Sequence, residues 1–169
     1  MTITITRPTA HHHIITDMQA LADSIRLANR IRELEADEPA TEADASRART
    51  ERAGLHRQLK DLLERTRKST LTVVLRGLPS SQWTQITLKH TDNMDGRIVK
   101  DLPAIAAEAA PLMLETAQWP DGTDVGLDRD AFAALIGQMT DSQVAELMQT
   151  VQELNTPVTE VPKAVARMI

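Results

Sequence analysis

The chain has 169 residues, no cysteine, a net charge of −5 and only three aromatic side chains, Trp83, Trp119 and Phe132. These figures exclude disulfides and thiolate chemistry, and the mild acidity argues against a large nucleic-acid footprint. A core of this size must be built from Leu, Ile, Val, Met and Ala, residues that suit helix–helix packing.

The charge is uneven. Residues 1–68 sum to +1 and residues 69–169 to −6. The arginines between 26 and 67 are interleaved with acids, as on a solvated helix face. Neither an N-terminal apolar core of signal-peptide length nor a window of membrane-spanning length is present, so the expected setting is a cytosol without membrane contact.

Thr2 to Thr6 alternate threonine and isoleucine, a period-two strand signal stopped by Arg7-Pro8. His11-His12-His13-Ile14-Ile15 reads as a second extended piece, able to pair with the first as a hairpin. From Asp17 the period changes. Met18, Leu21, Ile25, Ala28, Ile31 and Leu34 recur at three- and four-residue steps, which predicts an amphipathic helix capped by Asp17. Asp37-Glu38-Pro39 ends it, because the residue before proline avoids helical angles. A second helix is predicted from Thr41 to Arg67, Ala-rich at first, with Leu55, Leu59 and Leu62 on one stripe and a potential local break at Gly54. Two such helices joined by a short acidic loop make an antiparallel hairpin.

Thr70 to Arg76 is β-branched and is closed by Gly77, which predicts a strand. Pro79 fits the first turn of a helix that presents Trp83, Ile86 and Thr87 to one side and ends near His90. Thr91 to Gly96 reads as a polar turn. A helix is expected from Leu102 to Thr116 with Ile105, Ala109, Leu112 and Met113 on its stripe. Trp119-Pro120-Asp121-Gly122 is a loop, and Asp128 to Gln138 a helix. Thr140-Asp141-Ser142-Gln143 is a capping-box pattern that opens a last helix, with Asn155 as a left-handed stop before Pro157. The fold class is therefore mainly α with a small β element: a long N-terminal helical hairpin, short strands and a C-terminal helical bundle. The segments are 1–16 (strand and loop), 17–68 (hairpin), 69–156 (mainly helical core) and 157–169 (extended tail).

Four segments carry residue types that chemistry could use. On a strand His11 and His13 share a face, but two imidazoles fall short of a closed zinc site, and an exposed polar loop explains the run. Asp121, Asp124, Asp128 and Asp130 resemble a calcium loop, yet the twelfth position counted from Asp121 is Phe132 rather than a bidentate glutamate. They read as loop and helix-cap acids. Ser80 and Ser81 follow a strand and a turn without the G-x-S-x-G of a nucleophile elbow. Arg65-Thr66-Arg67-Lys68 offsets the negative end of a helix dipole, and phosphate binding is not needed to explain it. No catalytic, cofactor or metal residue is assigned. The partner-binding candidates are Leu55, Leu59, Leu62, Trp83 and Trp119. Trp83 reads first as a core anchor, whereas Trp119, in a Pro/Gly loop, suits a core or an interface position equally. Met18, Met113, Met139 and Met148 suit either adaptable contacts or the core.

Several features together resemble a family. A helical hairpin precedes a strand, then R-G-L-P-x-x-x-W (Arg76 to Trp83), then a helix ending at a histidine (His90). A later helix starts D-S-Q-V (Asp141 to Val144) and stops E-L-N (Glu153 to Asn155), before a proline-bearing tail. Over residues 17–157 this is similar to the tail assembly chaperones of actinobacterial siphophages and prophages. Thr91-Asp92-Asn93 departs from the prolines that often follow the histidine in that pattern. The resemblance implies a non-enzymatic protein of the host cytoplasm, without cofactors, that binds the tape measure protein or tail-tube subunits and forms homo-oligomers as one option. The alternative is a structural virion component such as a tail or head–tail connector protein.

Overall fold

A computed structural model describes residues 3–37, 41–157, 159 and 168. The fold is mainly α with a small β component. Its elements are β1 (Thr9–Ile15), α1 (Met18–Ala36), α2 (Glu42–Lys68), β2 (Thr70–Arg76), α3 (Ser80–Lys89), β3 (Thr91–Met94), β4 (Arg97–Lys100), α4 (Leu102–Met113), β5 (Leu114–Gln118), α5 (Arg129–Ile136) and α6 (Asp141–Asn155). The chain divides into two compact units, one of residues 1–12, 72–117 and 124–169, the other of 13–71 and 118–123. A three-stranded sheet has the order β1-β2-β5.

The second unit is the helical hairpin. Asp17 caps α1 by accepting the Ala20 N–H at 2.9 Å, and Thr41 caps α2 by accepting the Asp44 N–H at 3.2 Å. α1 and α2 pack on each other. The buried residues of α1 are Ala20, Ser24 and Ile31, spaced four and seven apart, while Ile25 is 53% exposed. The seam is thus rotated from the predicted stripe toward the small residues. α2 continues through Gly54, and only Thr66 of its residues is buried. α1 ends at Ala36 with Asp37 as its C-cap, where the stop was expected; Glu38 and Pro39 of that signal lie outside the described residues.

The first unit is a bundle in which α4 packs on α3, α5 and α6. Its core is Val73, Leu75, Ile86, Ile105, Ala106, Ala109, Ala110, Met113, Phe132, Ile136, Leu147 and Val151. The expected strand forms as β2, where Leu71, Val73 and Leu75 are buried and the residues between them half-buried. Thr140 and Gln143 form the predicted capping box of α6.

Five expectations are corrected. Residues 3–6 form no strand, and Ile3 and Ile5 are 88% and 86% exposed, so the alternating isoleucines have no face to cover (Thr2 lies outside the described residues). The strand at 9–15 pairs with β2 instead. Gly77 N–H bonds to Pro8 O and Thr16 N–H to Ser69 O, both at 2.9 Å, which sets the two strands antiparallel. Residues 91–100 are a β-hairpin rather than a plain turn, in the register Thr91↔Lys100 to Met94↔Arg97. Asp95 and Gly96 at its tip have φ of 53° and 80°, the left-handed pair that a two-residue hairpin loop needs. The helix expected to reach Thr116 stops at Met113, where Leu114 turns to extended backbone, and 114–118 becomes β5. Leu112 is accordingly 38% exposed and off the stripe. Asn155 is helical, not left-handed; its side chain does the work described below.

Candidate partner-binding surfaces

α2 supplies three of the candidate residues. Leu55, Leu59 and Leu62 are all half-buried. Leu55 lines an open hollow of about 560 Å³ with Arg47, Glu51, Gly54 and Gln58. A Cβ added at Gly54 would meet nothing within 4 Å, so glycine there widens the hollow. One turn on, Leu59 and Leu63 border a second hollow of about 510 Å³ with His56, Lys60, Asp61, Glu64 and Arg67. Leu63, which the stripe had left out, is 51% exposed. Leu62 borders neither hollow, and its carbonyl accepts the Thr66 hydroxyl at 2.9 Å.

Charges on this helix are locally paired. Glu64 accepts two bonds from Arg67, at 2.8 and 3.0 Å. That bidentate bond, with the Arg67 charge and then Lys68 behind it, holds the Glu64 carboxyl below its ordinary range and raises Arg67. The basic run predicted at this helix end therefore has local partners as well as the dipole.

Trp119 lies half-buried at the base of the hairpin, in a cleft of about 480 Å³ with Thr16, Asp61, Glu64, Arg65, Lys68 and Ser69. The loop that carries it is tied by Trp119 N–H to Thr123 O at 3.0 Å and Gly122 N–H to Trp119 O at 2.9 Å. Asp121 receives the Thr123 N–H, its main cause of a lowered pKa. Asp17 is lowered chiefly by the Ala20 N–H and then by Arg65, whose Nε is 2.6 Å away. The cleft thus sets Trp119 beside two acids, Asp61 and Glu64, and two bases, Arg65 and Lys68.

Trp83 sits in the other unit, half-buried on α3, so the core role that read first for it holds only in part. The same unit has a groove of about 430 Å³ lined by Leu102, Pro103, Asp141, Val144, Ala145 and Met148, with Gln149 and Gln152 at its end. Sequence reasoning missed it, since it requires α4 to lie against α6. Leu102 is 44% exposed at its edge. Of the methionines, Met113 and Met148 are buried and Met18 and Met139 half-buried.

Among the described residues no group of three or more His, Cys, Asp or Glu side chains is placed to hold a metal. His11 and His13 do share the exposed face of β1, while His12 between them turns inward and its Nδ1 lies 3.0 Å from Thr150 Oγ1. Asp124 and Asp128 cap local N–H groups, of Gly126 and Ala131, at 2.7 and 2.8 Å. Ser80 and Ser81 are exposed in the first turn of α3, which starts from Pro79 without a side-chain cap. His90 Nε2 and Lys89 Nζ both reach Glu108 Oε2, at 2.6 and 2.8 Å, and hold its carboxyl below its usual range, Lys89 foremost. No helix among the described residues is long and apolar enough to cross a membrane.

The chain matches no protein-family model, no curated protein and no solved structure.

Proposed function

We propose that this chain is a non-enzymatic tail assembly chaperone of a phage, binding the tape measure protein, and tail-tube subunits with it, in the host cytoplasm during tail morphogenesis. The observation that carries the reading is the half-covered apolar edge of α2. Across 27 residues that helix buries one side chain, and Leu55, Leu59 and Leu63 stay partly open. At 1.5 Å per residue the edge from Leu55 to Leu63 runs for about 12 Å, enough to lie along about two turns of a client helix. A tape measure protein, built as a long helix, supplies such turns. The similarity of Arg76 to Trp83 and Glu153 to Asn155 to the chaperone pattern supports the same reading.

The test is co-purification of the full chain with a helical tape measure segment encoded beside it. Leu55→Asp, Leu59→Asp and Leu63→Asp together should weaken capture about tenfold or more, with the circular dichroism spectrum unchanged. Undiminished capture by the triple variant would sink the role of this edge. Recovery of the protein in stoichiometric amount from finished virions would favour a structural tail component instead.

A further inference from the structure

The groove of the first unit has a chemistry of its own. Its floor and sides are apolar: Leu102, Pro103, Val144, Ala145 and Met148. The two helices that wall it carry Glu108, Asp141, Glu146 and Glu153 and no lysine or arginine. Glu108 is already taken by Lys89 and His90, and Asp141 lies at the groove itself. At 3.6 residues per turn, Glu146 and Glu153 fall seven residues apart along one flank of α6, beside Gln149. Gln149 donates to Glu153 at 3.0 Å. Lys100 and Asp101, which precede Leu102, cancel each other in charge.

We propose that this groove binds an amphipathic helix of a partner polypeptide whose apolar stripe is flanked by lysine or arginine. An apolar trough takes side chains spaced i, i+3 or i+4, and i+7. Asp141 in the groove, with Glu146 and Glu153 on the flank of α6 beyond Gln149, favours a helix with cations beside that stripe and repels one with acids there. Exposed Ala145, with its single methyl, lets a helix backbone come close. The α4–α6 face of a second copy presents the same carboxylates and would meet like charge. The inference deepens the chaperone reading, because it places a further client contact away from α2 and states the client's charge.

The probes are two synthetic helices of about 20 residues with one shared leucine stripe, flanked by lysine in one and glutamate in the other. Each is titrated into the full chain by fluorescence anisotropy at about 0.15 M salt. The lysine-flanked peptide should bind about tenfold or more tightly than the glutamate-flanked one. Ala145→Arg, at an exposed position, should reduce that binding about tenfold, while Ala131→Arg on α5, the same change in charge, should leave it intact. Absent binding, equal binding of the two peptides, or equal loss in both variants would overturn the proposal. So would self-association of the full chain that Ala145→Arg abolishes, since a second copy would then be the occupant. The triple aspartate variant of α2 should still bind the lysine-flanked peptide, so the groove and the α2 edge can fail separately.

Discussion

The side chain of Asn155 joins two segments that lie 77 residues apart: its Oδ1 accepts the Leu78 N–H at 2.7 Å. Its Nδ2 donates back to Val151 O at 2.7 Å and reaches Met113 Sδ at 3.4 Å. One amide thus finishes α6 and holds the turn between β2 and α3. Immediately beside it Gly77 faces the backbone of Leu154. The segments around Gly77-Leu78 and Leu154-Asn155 are thus in contact, and they close this corner of the bundle.

Replacing Asn155 with alanine removes the acceptor and leaves the Leu78 N–H unpaired in a residue that is only 8% exposed. An orphaned buried donor costs about 1–3 kcal/mol. Urea unfolding of Asn155→Ala should show a loss in that range with an unchanged slope; a loss near zero would mean that water replaces the bond freely.

Gly77 is required for space rather than for left-handed geometry. A Cβ there would stand 2.6 Å from Leu154 O, a backbone atom that cannot swing aside. Gly77→Ala should destabilise by about 1–3 kcal/mol through overpacking. Combining it with Asn155→Ala should cost less than the two losses added, because both strain the same contact. Strict additivity in denaturant melts would show the corner to be two independent features.

Local signals were the ones legible in the sequence. Asp17 as a cap, the span of β2 and the Thr140–Gln143 box each depend on a few neighbouring residues, and each forms as expected. The Asp95-Gly96 dipeptide is equally local, but the four-residue strands that flank it carry no apolar alternation, and β4 is exposed throughout. Other features need partners distant in the chain. β5 becomes a strand beside β2, with Glu115 bound to Arg76 at 3.0 Å, and His12 turns inward to Thr150. Neither follows from a pattern within one segment. The groove at Leu102 and Val144 is a third case, since α4 and α6 are separated by β5 and α5. Of the five residues singled out for binding, Leu55, Leu59 and Trp119 border open hollows, while Leu62 and Trp83 border none of those described.

The capping box of α6 offers a clean test of a local term. Thr140 Oγ1 accepts the Gln143 N–H at 3.4 Å, and Gln143 Oε1 accepts the Thr140 N–H at 3.1 Å. Thr140→Ala should lower stability by about 1 kcal/mol, and Thr140→Ser should restore most of it. Equal melting of Thr140→Ala and the parent would show that water caps this helix as well as threonine does.

Acidification should act through Glu108. Its folded-state pKa lies below the ordinary 4.5, first because Lys89 donates to it and next because His90 does. A depressed carboxyl contributes stability that is complete above the unfolded-state pKa and is lost as the pH falls through the folded value. The contribution is therefore intact at neutral pH and disappears in a window that begins near 4.5 and extends below it. The side chain is 33% exposed, so solvent screens the pair and the effect on the melting temperature is modest. Glu108→Gln keeps the shape but removes the charge. Its melting temperature should lie below the parent's at about pH 7, and the gap should close toward about pH 3. A gap that is constant over this range would assign the loss to packing on α4 rather than to the charge shared by Lys89, His90 and Glu108.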